Sequence, residues 1–95
     1  MAVLDKVVNI TSVANNAFLD VQPGAGVEWV IHNLMFGGAF ELYWYDGTNS
    51  ILIDSEGANG GRTNLVYHVT NGVRLRMKNT SGGTTFLGYS GVITK

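Results

Sequence analysis

Few side chains in this chain carry reactive chemistry, and each falls short of a working constellation. His32 and His68 are its two histidines, each set in an apolar run without a carboxylate signature nearby. A zinc site takes three or four donors at ligand spacing, so both are expected to be hydrogen-bonded structural residues. Ser90 lies in Gly88-Tyr89-Ser90-Gly91-Val92. A nucleophile elbow requires Gly where Val92 stands, followed by a helix. A strand whose small residues let a neighbour pack closely is the better reading. Gly57-Ala58-Asn59-Gly60-Gly61-Arg62-Thr63 is one residue short of a phosphate-binding loop and has Arg in place of Lys. It is expected to be a surface loop. Asp46-Gly47-Thr48-Asn49-Ser50, with Asp54 and Glu56, offers oxygens without the calcium-loop pattern. Asp-Gly suits a hairpin turn. Glu28 and Glu41 could serve as acid and base only if adjacent strands brought them together. No enzyme, cofactor or metal is expected.

Binding chemistry is better represented. Arg74, Arg76 and Lys78 alternate with Val73, Leu75 and Met77. On a strand this gives one basic and one apolar face. The basic stripe is either a solvated face that discourages edge pairing or a contact for an acidic protein. Nucleic acid would want more charge and interleaved aromatics. Most of the aromatics, Trp29, Trp44, Tyr43, Tyr45, Tyr67 and Tyr89 with four Phe, must serve core or interface in so small a chain. Trp44 and Tyr45 are the candidates for a contact surface. Asn9-Ile10-Thr11 and Asn79-Thr80-Ser81 match the glycosylation pattern. Without a signal peptide in front of them, both are read as chance.

The elements that position these residues are read from pattern. At 95 residues the chain is expected to form one domain, 1–95. A core of this size is thin, burying roughly 60–65% of the unfolded surface. Hydrophobic residues make up 45% and charged residues 14%, against about 25% charged in average domains. The surface is therefore poor in charge, which favours an assembled life. A net charge of −1 gives no field to recruit nucleic acid or an acidic membrane. Cysteine is absent, which excludes disulfides and thiolate chemistry. No run approaches the ~20 apolar residues of a membrane span, and the start lacks the look of a signal peptide. Folding in a cytoplasm is expected.

Glycines fall between short runs rich in Val, Ile, Tyr, Phe and Trp, spaced about 8–12 residues apart, and no helical period persists. The pattern predicts an all-β, antiparallel, jelly-roll-like β-sandwich of about seven or eight strands. The expected strands are Ala2–Val13 (whole or broken), Ala17–Val21, Val27–Phe36, Ala39–Tyr45, Ser50–Asp54, Leu65–Thr70, Val73–Lys78 and Thr84–Thr94. Glu56–Asn64 is expected to be a loop. Asn71-Gly72 is expected to close a type I′ hairpin. In Val27–Phe36 the residues Val27, Trp29, Ile31 and Met35 share one parity and Val30, Leu34 and Phe36 the other. A strand apolar on both faces needs cover on both, so a neighbouring subunit is expected.

Three segments add a resemblance. Val21-Gln22-Pro23-Gly24-Ala25-Gly26-Val27-Glu28-Trp29-Val30-Ile31-His32-Asn33, Leu42-Tyr43-Trp44-Tyr45-Asp46-Gly47 and the ending Gly88-Tyr89-Ser90-Gly91-Val92-Ile93-Thr94-Lys95 together resemble the small β-sandwich proteins that decorate or cement the capsids of tailed bacteriophages. The resemblance implies a non-enzymatic virion protein, made in the host bacterial cytoplasm. It would bind the major capsid protein on the outside of the shell and associate with itself, often as a trimer. Residues 1–8, Leu4 among them, then become either an arm that adds to a neighbour's sheet or part of the protein's own sandwich. The alternative is a carbohydrate- or receptor-binding module of a phage fibre or tail. Loops Asp46–Ser50 and Glu56–Asn64 would then hold the site, and Trp44 or Tyr45 would stack on sugar.

Overall fold

Rolling one long hairpin into two sheets gives the chain its shape. The structure, a computed structural model, describes residues 3–95. Its nine strands are β1 (Lys6–Val13), β2 (Phe18–Val21), β3 (Trp29–Phe36), β4 (Phe40–Tyr45), β5 (Ser50–Glu56), β6 (Gly60–Arg62), β7 (Tyr67–Val69), β8 (Arg74–Asn79) and β9 (Thr85–Ile93). Among the described residues there is no helix. β1 pairs with β9, β2 with β8, β3 with both β6 and β7, and β4 with β5, all antiparallel. These are nested pairs, as in a folded ribbon. The ribbon then curls so that β9 also meets β3 and β8 also meets β4. One sheet runs β1-β9-β3-β6, with β7 beside β3, and the other runs β2-β8-β4-β5. If β6 and β7 count as one interrupted strand, this is the eight-stranded jelly-roll connectivity.

Two expectations are corrected by this topology. The segment Glu56–Asn64 contains a short strand, β6, instead of being all loop. Asn71-Gly72 does turn the chain, with Thr70 N–H or side chain and Val73 paired across it, but the strands it joins lie in different sheets. Neither residue has positive φ, which occurs at Leu4, Asn16, Asn64, Gly26, Gly47 and Gly82. A type I′ turn requires positive φ at both centres. Local sequence specified a turn, and packing of the sandwich made it a crossover.

The core lies between the sheets and holds Val13, Val21, Ile31, Leu34, Phe36, Phe40, Leu42, Val69, Leu75, Met77, Leu87 and Tyr89. Phe36 and Phe40 stack across it, 4.0 Å between centroids. The double-sided apolar pattern of β3 has a local cause. Ile31 pairs with Gly91 and Asn33 with Ser90, so His32 is an inserted residue in a β-bulge. The bulge shifts the alternation by one. Ile31 before it and Leu34 and Phe36 after it all reach the core, and only Val30 and Met35 are left on the outer side. The strand therefore needs less outside cover than simple alternation suggests.

Asn79 fixes the corner where the ribbon crosses between sheets. It is fully buried. Its Nδ2 donates to the carbonyls of Val13 (2.8 Å) and Gly83 (2.7 Å), and its Oδ1 accepts from Ser81 N–H (2.9 Å). Its backbone bonds Asn16 and Ala17. The β1–β2 and β8–β9 crossovers are thus tied through one side chain. A folded chain cannot present this asparagine for glycosylation.

Candidate interaction surfaces

The outer face of the four-stranded sheet holds the basic stripe. Register sets Asp20 opposite Arg76, Phe18 opposite Lys78, Tyr43 opposite Arg76 and Tyr45 opposite Arg74. Arg76 Nε donates to Asp20 Oδ1 at 2.7 Å, and Arg74 lies 3.7 Å from Asp20 Oδ2. Arg74 also sits over the Tyr45 ring at 4.6 Å, and Arg76 over Phe18 at 4.2 Å. Partly exposed ion pairs contribute about 0–1 kcal/mol, and cation–π contacts of this kind about 0.5–1 kcal/mol. Tyr43 donates its hydroxyl to Glu41 at 2.7 Å. That hydrogen bond to a carboxylate, more than burial or the nearby charge, raises the Tyr43 pKa. Three cations (Arg74, Arg76, Lys78) minus two carboxylates (Asp20, Glu41) leave a face of only +1. The stripe is largely neutralised from within its own sheet.

The outer face of the other sheet is different. β1 pairs with β9 through an unbroken register from Lys6↔Val92 to Val13↔Thr85. Alternation turns Lys6, Val8, Ile10 and Ser12 outward, with Phe86, Gly88, Ser90 and Val92 beside them on β9. Val8 is 65% exposed, Ile10 60% and Phe86 60%. Lys6 is the single charged residue in these two outward rows. Towards β3 the face dips into a depression of about 480 Å³ lined by Lys6, Val8, His32, Asn33, Ser90 and Val92, among others. Asn33 Nδ2 donates to Ser90 Oγ at 2.9 Å.

A third surface is the open side of the sandwich between β5 and β7. Trp44, Ile53, Val66, Tyr67 and His68 line a groove of about 430 Å³. The Trp44 and Tyr67 rings lie 6.1 Å apart. At the other end of this side Arg62 closes the gap between sheets, donating to Asp54 (3.0 Å) and Glu56 (3.2 Å). Those hydrogen bonds, Asp54 first, raise the Arg62 pKa.

The residues singled out in the sequence therefore do not form one site. Arg74, Arg76, Lys78 and Tyr45 share the outer face of the four-stranded sheet. Trp44 points to the other side of β4 and lines the groove. Leu4 stands in the turn just before β1, 72% exposed, with its N–H donating to the Ile93 carbonyl. Residues 4–8 run beside β9 in the protein's own sheet; Met1 and Ala2, the rest of the expected arm apart from Val3, lie outside the described residues. The remaining chemical candidates are engaged locally. Asp46 Oδ1 accepts from the N–H groups of Asn49 (2.7 Å) and Thr48 (2.9 Å), and these bonds, Asn49 first, hold its carboxyl below the usual range. His32 Nδ1 donates to Leu65 O at 2.8 Å. Glu28 precedes β3 and Glu41 lies on β4, so they are on different sheets and not on adjacent strands.

Sequence reasoning missed the Val8–Ile10–Phe86 row. Its signal is the apolar Val8 and Ile10 alternating with the polar Asn9 and Thr11, and it becomes a face only when β9 brings Phe86 beside them. No protein-family model matches this chain, and a search of curated proteins finds no match.

Proposed function

We propose that this protein is a structural component of a tailed-phage virion that binds the outer surface of an assembled capsid shell and stabilises it, without catalysing a reaction. The apolar outer face of the β1–β9–β3 sheet carries the reading. Val8, Ile10 and Phe86 stand more than half exposed there in adjacent rows, and exposed apolar patches of this kind mark association sites. The jelly roll is a frequent architecture of capsid and lectin domains; that support is analogy of fold and is secondary to the surface. The internally paired basic stripe contributes less than a bare stripe would. Many copies on one shell raise effective concentration, so each needs only modest contacts.

The test is co-sedimentation with purified shells. The native protein is expected to pellet with them, and the Val8→Asp, Ile10→Asp pair to stay folded and remain in the supernatant. Native protein that fails to pellet refutes the reading. Binding to a glycan array that is lost in Trp44→Ala would instead place the function in the β5–β7 groove, as a carbohydrate-binding module.

A further inference from the structure

We infer that two copies of this chain pair through their β1 edges, antiparallel, about a two-fold axis perpendicular to the sheet. A sandwich with open sheets has four edges, and three of them here are blunted. β2 is four residues long and carries Asp20. β5 breaks register between Leu42 and Tyr43 of its partner, leaving Ile53 unpaired, and it carries Asp54 and Glu56. The β3 flank is covered by two three-residue strands, β6 and β7, with a gap between them. Short strands, bulges and charges are the devices that stop edges from pairing. β1 has none of them beyond Lys6 at its first position: it is eight residues long and keeps unbroken register with β9.

The backbone groups at this edge can be assigned. In an antiparallel ladder each residue turns both its N–H and its C=O to the same neighbour, and successive residues alternate. The Asn9 carbonyl points at β9, since a Cβ on Gly88 would come 2.8 Å from it. Val7, Asn9 and Thr11 therefore bond to β9, and at the end of the strand the Val13 carbonyl accepts from Asn79 Nδ2. Lys6, Val8, Ile10 and Ser12 turn their N–H and C=O groups away, along the free edge.

That edge is self-complementary. With Asn9 on the axis, Val8 of one copy faces Ile10 of the other, and Lys6 faces Ser12. Every outward N–H and C=O of the four residues gains a partner, apolar side chains meet apolar ones, and no like charges oppose. Such an isologous contact closes as a dimer. Because the axis is perpendicular to the sheet, the apolar outer faces of both copies end up on the same side. The pairing itself stands on the edge alone; only the notion that the joined face lies on a shell rests on the function proposed above.

Two measurements on the native protein test it. Sedimentation equilibrium up to millimolar concentration is expected to show mass doubling. Amide exchange by NMR is expected to slow about tenfold or more at Val8, Ile10 and Ser12 as the dimer fills, with Val7, Asn9 and Thr11 protected at all concentrations. Val8→Pro deletes an outward N–H without touching the β9 ladder, a position where edge strands tolerate proline; it is expected to stay folded and monomeric. Ile10→Lys, expected to do the same, serves if the proline variant does not fold. A monomer at millimolar concentration, a trimeric mass, or a dimer that survives both substitutions overturns the pairing. Protection of Val8 and Ile10 amides that arises only on adding shells to a monomer also overturns it, and gives the edge to a strand of the shell protein. A dimer that does not co-sediment with shells leaves the pairing standing and removes the shell reading.

Discussion

Replacing Asn79 with Ala is expected to cost about 3 kcal/mol of stability. The side chain makes three hydrogen bonds, to Val13 O, Gly83 O and Ser81 N–H. The bond to Val13 is buried and the other two are partly buried. A buried group left unpaired costs about 1–3 kcal/mol, and a hydrogen bond that water can partly replace contributes about 0.5–1.5 kcal/mol. The Val13 carbonyl falls in the first class and the other two partners in the second. The sum is a large part of the roughly 5–15 kcal/mol that holds an ordinary domain folded. At about 4–8 °C per kcal/mol for a domain of this size, the melting temperature falls by roughly 12–24 °C. Urea denaturation followed by tryptophan fluorescence reads the change as a lower midpoint at unchanged slope. Asn79→Asp keeps the acceptor for Ser81 but turns a buried carboxylate towards two carbonyls. It is expected to be worse than Ala at neutral pH and to recover as acid protonates it. A loss below about 1 kcal/mol for Asn79→Ala would refute the view that this side chain ties the two crossovers.

Gly91→Ala is expected to unfold the protein or cost about 3 kcal/mol or more, because its Cβ would collide with the Val30 carbonyl and lie 2.8 Å from Ile31 Cα, both backbone atoms that cannot move cheaply; a native-like urea midpoint would contradict it. Burial, opposed by a hydrogen bond with Asn9, raises the Tyr89 pKa, as the bond to Glu41 raises that of Tyr43. The folded state thus holds these protons more tightly than the unfolded chain. Their stabilisation is complete below the free phenol value, about 10, and is lost as pH rises through the folded values; Tyr89→Phe is expected to flatten the alkaline fall in melting temperature, and an unchanged fall counts against it. Arg74→Glu with Arg76→Glu is expected to lower thermal stability at low salt by placing two carboxylates beside Asp20, with the loss shrinking at high salt where screening acts; a salt-independent loss would point to packing instead.

Much of the architecture was legible because strand signals are local. Period-two alternation predicts that Val73, Leu75 and Met77 share the core face and that Arg74, Arg76 and Lys78 face out. β8 buries Leu75 and Met77 in that alternation, whereas Val73 lies just before the strand, in the turn from β7, and is 41% exposed. The Asp46-Gly47 turn between β4 and β5 was readable for the same reason: Asp46 caps its own turn. The small residues of Gly88-Tyr89-Ser90-Gly91 predict close approach by a neighbour, and a side chain at either glycine would strike the neighbouring strand.

What the sequence determined by itself was which residues prefer strands, where the chain turns and which face of a regular strand is apolar. Tertiary structure decided the rest. The insertion at His32 reversed the phase of β3, because a bulge exists only relative to a partner strand. Asn71-Gly72 became a crossover because the ribbon's curl, not the turn, selects the sheet each strand joins. Asp20 neutralised the basic stripe from a strand more than fifty residues away. Asn79, which in sequence only matched a glycosylation pattern, became the buried tie of a corner. Each of these depends on residues distant in the chain meeting in space, and a local pattern carries no record of that meeting.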